Sequence, residues 1–253
     1  QTQEFFKSHK LHREQIAKAK DFQVVNKCLV INCKSFQHNF HVNKDFHLVF
    51  APSLDLVKFE QFKDSSVTEV FMPNVKSVDF SAFNNAKLIS LHFPLLTTIN
   101  ASAFAFNNFT QICFDNLIQM QGESQFKQCQ NLARFTAKKL NCVNSQCFSK
   151  CFKLKIVLTP KAVISSNAFQ FSANLEILSA QKIDFSCTCK KCFNCKGKFE
   201  QTLLRGEKFL IRENHNYKQN KNQQLNLLKY KKQKQIRKKL CSRVFMSWGK
   251  VKN

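Results

Sequence analysis

The chain has 253 residues, with 40 Lys+Arg against 16 Asp+Glu, 28 Phe, 12 Cys and only 4 Gly. An apolar content of 43% excludes wholesale disorder, and no apolar run reaches the ~18 residues of a membrane-spanning helix. The four glycines (Gly122, Gly197, Gly206 and Gly249) are too scattered for a phosphate-cradling loop, a dinucleotide fingerprint or a nucleophile elbow. With no His-Glu-x-x-His or paired-carboxylate signature either, the chain reads as noncatalytic.

Residues 1–23 carry Phe5, Phe6, Leu11 and Ile16 at helical spacing, which predicts an N-terminal helix over residues 3–20. This stretch lacks the continuous apolar core of a secretory signal. Because the sequence opens on Gln1, cell-surface and secreted locations stay open beside a slightly favoured cytoplasmic one.

A repeat dominates residues 24–185. Phe40, Phe62, Phe83, Phe104, Phe126, Phe148 and Phe169 follow one another at steps of 22, 21, 21, 22, 22 and 21. About six residues after each comes an apolar-x-x-apolar-x-apolar stretch, such as Val67/Val70/Met72 or Leu132/Phe135/Ala137. A breaker follows (Pro52, Pro73, Pro94 and Pro160, or Asp115, Lys138 and Gln181), then often a second apolar pair. A weaker copy, Val25/Cys28/Val30 then Cys33/Phe36, precedes Phe40 and reads as a capping turn. One such unit cannot bury its single apolar side alone, so units must stack. The short alternating stretches would pair as parallel strands at ~4.8 Å per turn. The phenylalanines would occupy one interior slot and form a spine of rings.

The pattern resembles the BspA-like leucine-rich repeats. Ala82-Phe83, Ala103-Phe104 and Ala168-Phe169 match that family's Ala-Phe element, and Phe126-x-x-Cys129 and Phe148-x-x-Cys151 match its Phe-x-x-Cys element. The resemblance implies a right-handed leucine-rich-repeat solenoid of about seven to eight turns, with parallel strands lining one face and α-helices flanking it at the termini. It also implies a protein-interaction or adhesion surface, as in bacterial and protist relatives. In such a solenoid the outward strand positions meet the ligand. Here these begin with Leu48, Phe50, Glu69, Phe71, Ser90 and His92. They continue with Gln111, Arg134, Ile156, Leu158 and Ile177. Several are apolar where solvent favours polar groups, which points to a protein partner or to cover by the chain's own ends.

Residues 186–200 hold Cys187-x-Cys189-x-x-Cys192-x-x-Cys195, flanked by Lys190, Lys191, Lys196 and Lys198. Four thiolates are the ligand set of structural zinc. A disulfide-linked cap and four free thiols are the other two readings, because structural zinc sites commonly join two pairs across a longer loop. No other cofactor is indicated.

The last segment, 201–253, is strongly basic: residues 186–253 hold 19 Lys+Arg and 3 Asp+Glu of the net +24. Leu225, Leu228, Ile236, Leu240, Val244 and Trp248 recur at near-helical steps, with Lys231, Lys232, Lys234, Arg237, Lys238, Lys239 and Arg243 on the other faces. A basic amphipathic helix suits an acidic partner, nucleic acid or an anionic membrane surface. The alternative to face-driven protein binding is therefore electrostatic binding through this helix.

Overall fold

The computed structural model describes residues 2–181 and 185–213. The described residues up to Glu207 lie in one compact unit. Residues 208–213, helical, fall in a second.

The first unit is a solenoid. Each coil offers a three-residue strand to one side: β2 (Cys28–Val30), β3 (Leu48–Phe50), β5 (Glu69–Phe71), β7 (Ser90–His92), β9 (Gln111–Cys113), β11 (Arg134–Thr136), β13 (Ile156–Leu158) and β15 (Ile177–Ser179). The second apolar pair of each repeat gives a two-residue strand at another corner: β4 (Leu56–Val57), β6 (Ser77–Val78), β8 (Thr98–Ile99), β10 (Gln119–Met120), β12 (Cys142–Val143) and β14 (Val163–Ile164). Most successive coils pair in parallel and in register, with Val49 beside Val70 and Val70 beside Leu91, but β7 does not pair with β9, nor β10 with β12. The weak first copy is the antiparallel hairpin of β1 (Val24–Val25) with β2, which ends the stack.

The repeated phenylalanines fill one interior column. Rings of Phe40, Phe62, Phe83, Phe104, Phe126, Phe148 and Phe169 stack with successive centroids 5.1–5.8 Å apart and planes within 13°. All from Phe62 onward have no exposed surface. Burying each ring contributes about 1.5–3 kcal/mol.

Two further positions recur around this column. Three residues after the ring sits a buried hydrogen-bond donor. Cys129 Sγ reaches the Phe104 carbonyl at 3.3 Å, Cys151 Sγ the Phe126 carbonyl at 3.1 Å and Ser172 Oγ the Phe148 carbonyl at 2.6 Å. Asn107 Nδ2 reaches the Phe83 carbonyl at 2.7 Å. Each satisfies a buried carbonyl one coil back, which explains the Cys of Phe-x-x-Cys as more than a small apolar filler. Two residues before and after the ring the backbone is left-handed. The pairs are Glu60/Asp64, Ser81/Asn85, Ser102/Phe106, Ser124/Gln128, Gln146/Lys150 and Asn167/Phe171, with φ between 52° and 65°. Non-glycine residues therefore make these twelve bends, at a cost of roughly 1–2 kcal/mol apiece.

The N-terminal segment forms two short helices rather than the single helix expected over 3–20: α1 (Thr2–Ser8) and α2 (Arg13–Lys18). Lys10 turns left-handed (φ 53°), and Leu11 N–H bonds the Phe6 carbonyl, which ends α1 and redirects the chain. Phe5, Phe6, Leu11 and Ile16 then share one buried cluster with Val30, Phe50 and Phe71.

At the other end, residues 199–213 form helix α3. Gly206 lies so close to β15 that a Cβ there would overlap the Leu178 carbonyl and sit 2.8 Å from Ser179 N. Before it, Phe185, Phe193 and Phe199 stack on one another, and Phe193 meets Phe169 edge-on at 5.5 Å. The ring column is thus closed by aromatic carbon rather than left to water.

Candidate functional site

The strand face divides into three zones. In the first, the expected contact residues Phe50 and Phe71 are not a free surface, being only 6% and 4% exposed. The cause is α1: Phe5 packs on Phe50 and Phe71 at 6.0 and 5.2 Å, and Phe6 on Phe50 at 4.9 Å. Glu69 stays half-buried, with Oε1 3.1 Å from His9 Nε2, and Leu48 packs at the edge of the same cluster. The apolar stripe of the sequence therefore belongs, at this end, to an internal interface.

In the third zone the second outward positions are closed as well. Leu158, expected to meet a partner, has no exposed surface, and Thr136 and Ser179 are nearly buried. This is the end where α3 abuts the backbone of β15 through Gly206. Arg134, Ile156 and Ile177, at the first outward positions, are half-buried.

The middle zone is open. Ser90, Gln111 and Cys113 are exposed and His92 is half-buried. His92 continues the aromatic row Phe50–Phe71–His92, its ring 4.7 Å from Phe71 with planes 12° apart, and its Nε2 is buried without a hydrogen-bond partner among the described residues. Burial holds its pKa below the ordinary histidine value, so the neutral ring is favoured.

Here the strand ladder is also broken: β7 ends one sheet, β9 begins another, and the two do not pair. Between them lies a cleft of about 370 Å³, lined on one side by Ile89–Leu91 and on the other by Phe109–Cys113. A second depression of about 330 Å³ runs from His92 and Ser90 to Glu4 and Ser8 of α1. The break falls between the two coils that carry Phe93 and Phe114 at the inward position just after the strand. Other coils place Ala51, Met72, Ala137, Thr159 or Ala180 there. Phe93 and Phe114 both pack on Phe104, at 6.2 and 6.5 Å, while on the other corner β8 and β10 still pair. The sequence pattern places Ser90, His92 and Gln111 on the face. The cleft itself and the exposed Ile89 beside it carry no mark in the repeat pattern. Cys113 is exposed and unbridged; desolvation and then the neighbouring Asp115 raise its thiol above the ordinary value.

The second candidate site is the cysteine cluster. The Sγ atoms of Cys187, Cys189, Cys192 and Cys195 all lie within 4.8 Å of one another. Cys192 and Cys195 are 3.5 Å apart, Cys189 and Cys195 3.9 Å. Burial pushes the Cys189 thiol up, but backbone N–H groups of Phe171, Lys191 and Cys192 outweigh it and bring it down to about 6. Burial pushes Cys187 up to about 11, and Cys192 is also raised by burial. The basic residues Lys231, Lys232, Lys234, Arg237, Lys238, Lys239 and Arg243 lie outside the described residues.

A stack of 21- and 22-residue coils with a ladder of short parallel strands on one side defines a leucine-rich-repeat solenoid. Within that class, residues 56–176 match the BspA type leucine-rich repeat region in six copies. Repeats of this family are protein-interaction modules in general. A leucine-rich repeat protein from Bacteroides ovatus is similar in structure, at 16% identity and a TM-score of 0.42. The match covers 64% of this chain and 57% of that one, so the chain spans a little over half the length of that protein. No curated protein matches the chain. Among the described residues no helix is long and apolar enough to cross a membrane.

Proposed function

We propose that this chain is a noncatalytic protein-interaction or adhesion module that captures a protein partner at the open middle of its strand face, across β7 and β9. The observation that carries this reading is the uneven cover of the face. Helix α1 covers one outer third and the second outward positions of the other are buried, yet Ser90, Gln111 and Cys113 remain exposed beside two strands that do not pair with each other. Edges of strands that lack a neighbour offer a partner both backbone groups and side chains. Leu48, Glu69, Arg134, Ile156 and Ile177 then form the rim, Phe50 and Phe71 are supports beneath α1, and Leu158 is a buried support.

The test is capture from extracts of the source cell with the double variant Ser90→Lys, Gln111→Lys. The reading expects partner capture to be lost with the far-ultraviolet spectrum unchanged. It also expects the native partner to shield Cys113 from alkylation. Capture at the wild-type level by the variant would refute it.

A second reading rests on the charge imbalance of the last quarter, 19 Lys+Arg against 3 Asp+Glu in residues 186–253. In it, the segment containing Lys231–Arg243 binds nucleic acid, an anionic membrane surface or an acidic protein, and the solenoid is a scaffold. Binding of that kind weakens steeply with salt. Deleting residues 217–253 would abolish it and leave face-driven capture intact.

A further inference from the structure

We propose that Cys187, Cys189, Cys192 and Cys195 together bind one zinc ion as a closed tetrahedral tetrathiolate that locks the C-terminal plug of the ring column. Four zinc–sulfur bonds of ~2.3 Å at tetrahedral angles place sulfurs ~3.8 Å apart. The separations here bracket that value: 3.5 Å for Cys192–Cys195 and 3.9 Å for Cys189–Cys195, with every pair inside 4.8 Å. A disulfide needs ~2.05 Å, and none of these cysteines is joined to another. Four side chains from a nine-residue stretch converge on one point, as a shared central ligand requires and as unconnected thiols do not.

Backbone N–H groups point at two of the four sulfurs. The N–H groups of Phe171 and Cys192 donate to Cys189 Sγ at 3.3 Å each, and that of Cys195 to Cys192 Sγ at 3.5 Å. A tetrathiolate around a divalent ion carries two net negative charges, and Lys190, Lys191, Lys196 and Lys198 lie between or beside the ligands in sequence to offset them. An all-sulfur donor set excludes magnesium and calcium, which take oxygen. With all four positions filled by protein, no site is left for water or substrate, so the ion is structural. On binding, the hydrated ion loses its waters, four zinc–sulfur bonds form, and the thiol protons pass to solvent.

The local fold supplies a reason for such a clamp. Phe193 sits inside the Cys192–Cys195 loop, is wholly buried, and meets Phe169, the last ring of the column, edge-on at 5.5 Å. Asn194 Nδ2 donates to the Phe185 carbonyl at 3.1 Å, and Cys189 Sγ accepts from the Phe171 N–H in the final coil. Fixing the four sulfurs therefore fixes the plug against the last repeat, the task of a terminal capping unit in a solenoid.

The experiment uses the full chain, purified under reducing conditions, dialysed against zinc and then freed of excess. Metal is quantified by plasma mass spectrometry, and free thiols by alkylation after denaturation. One zinc per chain is expected, falling to near zero in the double variant Cys192→Ser, Cys195→Ser but unchanged in Cys33→Ser, Cys142→Ser. Cobalt loaded into the apoprotein should give the strong visible absorption of a tetrahedral site with thiolate charge-transfer bands. Stripping the metal should lower the melting temperature by several degrees. The proposal is overturned by less than half an equivalent of zinc with no cobalt spectrum in a chain whose circular dichroism shows it folded. It is equally overturned by alkylation counts that reveal disulfides among the four, or by bound iron in zinc's place. An unchanged melting temperature after stripping would overturn the locking role.

Discussion

Phe104 stands at the middle of the ring column, and replacing it with alanine is the sharpest perturbation of what holds the coils together. The side chain has no exposed surface. Its ring stacks on Phe83 and Phe126 at 5.6 Å each with planes 5° apart, and touches Phe93, Phe109 and Phe114 at 6.1–6.5 Å. Losing a fully buried phenylalanine costs about 3–5 kcal/mol, the upper end applying where the site cannot collapse. Here rigid coils above and below hold the gap open, and two stacked pairs of about 0.5–1.5 kcal/mol each disappear as well. The expected loss is about 4–5 kcal/mol. Phe80 is the comparison: 43% exposed, its ring stacks among the described residues only on Phe59, at 5.7 Å, and Phe80→Ala should cost less than about 1 kcal/mol. Urea unfolding followed by circular dichroism measures both. Should Phe104→Ala leave no folded protein, Phe104→Leu, at about 1–2 kcal/mol, keeps the comparison measurable. Equal costs for Phe104→Ala and Phe80→Ala would refute the reasoning, because a column in one interior slot cannot be as dispensable as a surface pair.

Two other outcomes follow from the geometry. Gly206→Ala should destabilise by about 1–3 kcal/mol in thermal unfolding, because the new methyl group must displace the backbone of β15 rather than a flexible side chain; an unchanged melting temperature would mean that α3 does not seat there. Gln128→Gly should stabilise by about 0.5–1 kcal/mol, since the left-handed φ of 58° is free of strain for glycine and that relief exceeds the added chain entropy. Gln128→Val at the same bend should lower the melting temperature.

The coil length, the ring column and the strand positions were all legible, because one apolar slot recurring every 21 or 22 residues has no other compact solution. The bends were not: Ser81, Gln128 and Lys150 carry no mark of left-handed backbone, and the usual marker, glycine, is missing from them. The repeat sets the backbone there and overrides residue preference. The face was half legible. Alternation correctly turned Phe50 and Phe71 outward from the column, but whether an outward ring meets water depends on what else the chain brings. Phe5 and Phe6, remote in sequence, decide that. The break between β7 and β9 was not legible, because the repeat keeps its apolar positions through both coils. Cysteine spacing announced a cluster, and only the folded chain brought all four sulfurs within 4.8 Å of one another.

Hydrogen exchange read by mass spectrometry on the intact chain tests most directly whether coils stack along residues 24–181. Slowly exchanging amides should recur once per coil, at the strand positions from Leu48–Phe50 through Ile177–Ser179. Protection should dip where β7 and β9 fail to pair. Protection without a 21- to 22-residue recurrence, or gathered in one block flanked by unprotected chain, would contradict the stacked-coil account.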